Sequence, residues 1–136
     1  MKKIFSLIII VLATASLSGC FKYAVDEDGL LISQDDGCYV LKFELYDVDQ
    51  KPITSSVHAT VIDTLSCTVD YYYMYGTVLD NVYPRFNLYY NCKLDPKITG
   101  RVNWSDKAPR RWTVVSGSRR VRKTYTVYLH EEQPLE

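Results

Sequence analysis

Few side chains in this 136-residue sequence are of types that carry covalent, acid–base or metal chemistry. Four are cysteines, Cys20, Cys38, Cys67 and Cys92, and two are histidines, His58 and His130. A serine or cysteine nucleophile needs a base within reach, and neither histidine is preceded by a nucleophile motif such as Gly-x-Ser-x-Gly. The cysteines lack close ligand spacing and the histidines stand far apart, so no metal site is expected. The acidic clusters at Asp26–Asp28, Asp35–Asp36 and Asp47–Asp49 lack the full calcium loop of an EF-hand. No glycine-rich phosphate loop is present. Neither a catalytic centre nor a cofactor is therefore expected.

Charge is the more informative chemistry. The sequence has 16 basic and 16 acidic residues, but they are not mixed. The acids dominate up to Asp80, against only Lys22, Lys42 and Lys51 after the first twenty residues. Beyond it, Lys97, Arg101, Lys107, Arg110, Arg111, Arg119, Arg120, Arg122 and Lys123 crowd one tract with Asp106 as their only acid. Trp104 and Trp112 lie among them. A tract of this kind binds anions, since arginine grips carboxylates and phosphates in bidentate fashion. It equally suits a charged outer face that compensates the acidic first half. The residues expected to bind are Arg110, Arg111, Arg119, Arg120, Arg122, Lys123, Trp104 and Trp112. Tyr72 and Tyr89 join them as outward-facing members of aromatic strands, in a chain with 12 tyrosines.

What places these residues is the first stretch of the chain. Met1-Lys2-Lys3 is positive, Ile4 to Leu12 is apolar, and small residues follow up to Gly19. This is the pattern of a secretory signal, with an apolar run shorter than the roughly 20 residues a membrane span needs. Leu17-Ser18-Gly19-Cys20 resembles the lipobox of bacterial lipoproteins. The resemblance implies cleavage before Cys20 and acylation of that cysteine, including palmitate, at about 0.8 kcal/mol of anchoring per buried methylene. Phe21 stands where an aspartate tends to retain such proteins in the inner membrane. By the same resemblance the outer membrane is favoured, with the domain facing periplasm or cell surface. A signal peptide over 1–19, a lipidated cysteine and acidic tether over 20–37, a domain over 38–130 and a frayed tail over 131–136 follow.

The mature part contains no convincing amphipathic helix. Period-two alternation marks strands at Cys38–Asp47, Ser56–Asp63, Ser66–Tyr75, Pro84–Cys92, Ile98–Trp104, Arg111–Ser116 and Val121–Leu129. About seven strands predict an all-β fold, a single antiparallel sandwich. The strand–Asp47-x-Asp49-x-Lys51-Pro52-Ile53–strand pattern resembles the opening hairpin of immunoglobulin-like and transthyretin-like (carboxypeptidase-regulatory-like) domains. A lipobox before a transthyretin-like sandwich is also similar to the type VI secretion lipoprotein.

With Cys20 acylated, three cysteines remain in an oxidising compartment. Cys67 and Cys92 share the apolar face of their strands, whereas Cys38 alternates out of phase with Tyr39 and Leu41. A Cys67–Cys92 disulfide is expected, with Cys38–Cys92 as the alternative. The function expected is that of a non-enzymatic, lipid-anchored envelope protein. Its partners are the membrane, through Cys20, and an envelope protein, not nucleic acid. The alternative is a ligand-binding or enzyme-inhibitor lipoprotein.

Overall fold

The structure is a computed structural model and describes residues 23–135. Cys20 lies outside them. The described residues form eight strands and no helix. These are β1 (Val40–Tyr46), β2 (Pro52–Ile53), β3 (Val61–Asp63), β4 (Thr68–Met74), β5 (Tyr83–Leu88), β6 (Lys93–Asp95), β7 (Arg110–Val115) and β8 (Arg122–Glu132). They build two sheets, of order β2-β1-β5 and β3-β4-β8-β7-β6, packed as a sandwich.

The core comes from alternate residues of both sheets. Phe43 and Leu45 of β1 meet Val69, Tyr71 and Tyr73 of β4 and Tyr125 and Val127 of β8, all at most 3% exposed. Fully burying a side chain of this size contributes about 1.5–3 kcal/mol. Phe43 is the centre of an aromatic cluster, edge-on to Tyr71 at 5.3 Å and tilted against Phe86 at 4.7 Å. Tyr71 also ties the sheets by its hydroxyl, which donates to the Ile53 carbonyl and accepts from Leu45 N–H at 3.2 Å. Burial pushes that phenol's pKa up.

Four features depart from simple alternation. First, the sandwich is not wholly antiparallel, because β4 and β8 run parallel at the centre of the five-stranded sheet. Parallel neighbours need a long connection, and the intervening β5, β6 and β7 supply it. Second, Ile98–Trp104 is not a strand. It contributes only the isolated Val82–Val102 bridge, and the short strand β6 lies just before it. Third, Tyr75 is 63% exposed, because β4 ends at Met74 and the left-handed Gly76 turns the chain away.

The fourth is a register shift between Val40 and Lys42, where β1 pairs with β5. An extra residue in one strand flips the phase of everything before it. Leu41 and Tyr39, expected inside, are 56% and 38% exposed, while Val40 and Cys38 are buried. The phase argument for the cysteines fails with it. Cys38, Cys67 and Cys92 are all free thiols, so the expected Cys67–Cys92 bond is not formed. Cys67 sits in the left-handed region at φ 56°, and its thiol turns back to the Thr64 carbonyl at 3.7 Å. The Cys92 thiol points instead to the Gly37 carbonyl at 3.1 Å.

Candidate functional site

The acidic segment before β1, read from sequence as a tether, is folded onto the domain. Asp26 starts a small hairpin by accepting the Asp28 and Leu30 N–H groups at 3.0 and 2.9 Å through Oδ1. Asp26 and Leu30 pair by backbone, Gly29 takes the left-handed φ the turn requires, and Val25 bridges Leu31. The other carboxylate oxygen, Oδ2, meets Lys93 Nζ at 2.8 Å and Arg119 at 3.1 Å. All three side chains are at most 16% exposed. The Lys93 hydrogen bond, with help from Leu30 N–H and Arg119, outweighs desolvation and holds the Asp26 carboxyl far below the usual range.

The clasp continues along the hairpin between β7 and β8. Ser33 N–H donates to the Gly117 carbonyl and Ser118 N–H to the Asp35 carbonyl, both at 2.9 Å. A Cβ at Gly117 would meet Ser33 Oγ and press on Asn91 Cβ, so a larger residue here requires the Ser33 hydroxyl to turn aside. Asp36 accepts from Ser118 Oγ and from Arg120 at 3.0 and 3.1 Å, and these bonds lower its pKa.

The basic tract is thereby divided rather than displayed. Arg119 and Arg120 are bound to the acidic segment, and Arg122 pairs with Asp95 at 2.5 Å. Arg119 further donates to the Asn91, Ser116 and Leu31 carbonyls. Arg110 donates to the Asn103 carbonyl at 2.6 Å and lies 5.3 Å from the Trp104 ring centre. Lys123 stands 4.7 Å from the Tyr39 ring centre. Arg111 alone of the set is exposed with no partner among the described residues. Neither tryptophan forms a surface platform. Trp104 is 0% exposed, donates through Nε1 to the Ala108 carbonyl at 2.7 Å, and meets the partly buried Trp112 edge-on at 5.5 Å. Trp112 in turn packs on Phe86 at 5.2 Å. The bland alternative, an outer face compensating acidic residues, describes Arg119, Arg120 and Arg122.

Tyr72 and Tyr89 are separately engaged. Tyr89 packs edge-on against Tyr39 and Tyr90, with its ring across Gly37. Tyr72 lies between two imidazoles, 5.1 Å from His58 and 4.9 Å from His130, and His130 Nε2 meets Asp70 at 2.7 Å. At the same edge His58 Nδ1 and Ser55 Oγ both bind Glu132. Burial opposes the charge on Glu132, but the bonds from Ser55 and His58 outweigh it and lower its pKa. A serine–histidine–acid relay places the imidazole between hydroxyl and carboxylate. Here the carboxylate is in the middle, so no imidazole accepts the serine proton. The trio braces loop 55–58 against the end of β8. Among the described residues no three His, Cys, Asp or Glu side chains gather to hold a metal.

One constellation escaped the sequence reading. On the outer face of β2-β1-β5, Tyr46 is the register partner of Tyr83, and Glu44 of Arg85. Arg101 reaches the same place from the loop after β6, donating to the Asp47, Val48 and Asn81 carbonyls at 2.8, 3.1 and 3.2 Å. These side chains and Gln50 line an open recess of about 540 Å³. Arg85 and Arg101 are far apart in sequence; the β1–β5 register places Arg85 there, and only the folded loop after β6 brings Arg101 beside it.

No family model and no curated protein matches the chain. Among solved structures, a crystal structure of a candidate glycoside hydrolase from Bacteroides thetaiotaomicron is similar in fold, with a TM-score of 0.57 at 17% sequence identity. The match covers 82% of this chain and 28% of that one. The chain therefore spans under a third of that protein's length, and the likeness concerns the all-β domain alone.

Proposed function

We propose that this chain is a lipid-anchored envelope protein of the bacterial outer membrane, whose β-sandwich binds a protein partner without catalysing a reaction. The observation that carries this reading is the clasp of Asp26 on Lys93 and Arg119. An extended chain spans at most about 3.6 Å per residue, so the six steps from Cys20 to Asp26 reach at most about 22 Å. A domain clasped at Asp26 stays within that distance of an acylated Cys20. Such restraint suits a protein that presents one face to a neighbour in the envelope. It would be superfluous for a domain meant to diffuse on a long tether.

Two measurements on the native envelope test the reading. Cys20→Ser should move the protein from the membrane to the soluble fraction without loss of the folded domain. Chemical cross-linking of the anchored protein should recover one envelope protein that Cys20→Ser no longer yields. Membrane attachment that survives Cys20→Ser would refute the anchor. Cross-linking that recovers the same protein from the released domain with equal yield would refute the role of anchoring in partner capture.

A further inference from the structure

We propose that the recess on the outer face of the three-stranded sheet is a binding site for a carboxylate-bearing saccharide, held by Arg85 and Arg101 over the Tyr46–Tyr83 pair.

Most cations of the basic tract are neutralised within the fold. Lys93, Lys97, Lys107, Arg110, Arg119, Arg120 and Arg122 each lie within salt-bridge distance of a carboxylate. Arg85 and Arg101, like Lys51, Arg111 and Lys123, have no carboxylate at that distance among the described residues, and these two arginines line one recess. Glu44, the cross-strand neighbour of Arg85, is taken by Lys42 at 2.7 Å and by the Tyr46 hydroxyl at 3.1 Å. Arg101 is fixed by three carbonyl oxygens, which orient a guanidinium without neutralising it. Two cations thus share one recess, one held in place and one free to swing.

The rest of the lining favours a sugar. Tyr46 and Tyr83 are register partners across strands β1 and β5 and both line the recess, two aromatic rings with polar tips on a sheet surface. Ring faces pack against the C–H faces of a pyranose, and a guanidinium fork accepts a carboxylate in bidentate fashion. The recess volume lies within the common range of ligand sites, about 300–1,000 Å³. An acidic peptide fits less well. Recognition of an extended peptide relies on free backbone groups, and the carbonyls of Asp47, Val48 and Asn81 at this rim are already taken by Arg101.

The test is calorimetric titration of the detergent-solubilised full chain with trigalacturonic acid. A neutral galactose trisaccharide and a hexaglutamate peptide are titrated in parallel. The acidic sugar should bind, and the neutral sugar should bind at least about tenfold more weakly, as expected for loss of charge-assisted hydrogen bonds. Arg85→Gln, at an exposed position, should keep the wild-type melting temperature and weaken the acidic sugar by about tenfold or more. Arg85→Lys should fall between, because the charge remains and the fork is lost. Tyr83→Ala should weaken acidic and neutral sugars alike. Equal affinity for the neutral sugar, peptide binding as tight as the sugar, no binding of trigalacturonic acid, or an Arg85→Gln variant that binds as wild type would each overturn the proposal.

Discussion

Trp104 separates a binding surface from a core most sharply, because its neighbours in sequence are basic and its neighbours in space are not solvent. The side chain is 0% exposed, with Trp112 edge-on at 5.5 Å and the Arg110 guanidinium 5.3 Å from its ring centre. Its indole N–H satisfies the Ala108 carbonyl, and its backbone N–H donates to Leu79 at 2.7 Å. Trp104→Ala removes the ring and leaves a cavity, which costs about 3–5 kcal/mol for a buried tryptophan. The Ala108 carbonyl then loses its donor, and Arg110 loses a ring worth about 0.5–1 kcal/mol. These terms overlap, so a total of about 4 kcal/mol is reasonable. For a domain near 110 residues, 1 kcal/mol corresponds to about 4 °C in melting temperature, giving a fall of about 15 °C. Thermal unfolding followed by circular dichroism reads this directly. Trp104→Phe keeps an aromatic ring and should lie in between. A surface tryptophan would behave otherwise, since exposed substitutions stay within about 0.5 kcal/mol. A Trp104→Ala protein that melts within about 2 °C of wild type would refute the core assignment.

Two further predictions concern the clasp and the cysteines. Asp26→Asn keeps the acceptor for the 28 and 30 amides but removes the charge facing Lys93 and Arg119, so hydrogen exchange at Ile32 should quicken about tenfold or more while Val127 is unmoved. Because the folded carboxyl titrates below its unfolded value, the clasp is complete above about pH 4, the ordinary aspartate range, and weakens as pH falls below it. Exchange at Ile32 that is the same at pH 3 and pH 6, after correction for intrinsic rates, would contradict this. On oxidation, Cys38 and Cys92 should join and Cys67 should remain open to alkylation. Cys92 Sγ already touches the residue before Cys38, and Cys38 Sγ lies 3.2 Å from the carbonyl of Val114, whose register partner Leu94 is two residues beyond Cys92. Burial pushes both thiols up in pKa, so in the reduced protein each should alkylate slowly near neutral pH and faster as pH rises. A non-reducing peptide map showing Cys67 bonded to either of the others would refute the pairing.

Period-two alternation made the all-β class and most strands legible, because one face of each strand must be buried and that choice is written in residue type. Phe43, Leu45, Val69, Tyr71, Tyr73, Tyr125 and Val127 all lie where it places them. Alternation has no memory across a bulge, however, and the extra residue at Leu41 inverted Tyr39 and Cys38 together. Nor does it carry strand direction, so the parallel β4–β8 pair was invisible.

The basic tract takes on a different aspect in the fold for a related reason. A run of basic residues is a statement about sequence, whereas an anion site is a statement about charge left over after folding. Arg119 and Arg120 are spoken for by Asp26 and Asp36, more than eighty residues away in the chain. Arg85 stands apart from the basic tract and Arg101 is one member of it, yet both keep their charge, because Glu44 is already engaged and carbonyls cannot neutralise a guanidinium. The same folding step thus silences one set of arginines and exposes another. Asp26 and Asp36 secure the segment before β1 to the β7–β8 hairpin, and Arg85 and Arg101 keep their charge on the outer face of the three-stranded sheet. The two clusters therefore differ in kind: one is closed by ion pairs within the chain, and the other keeps its charge facing solvent.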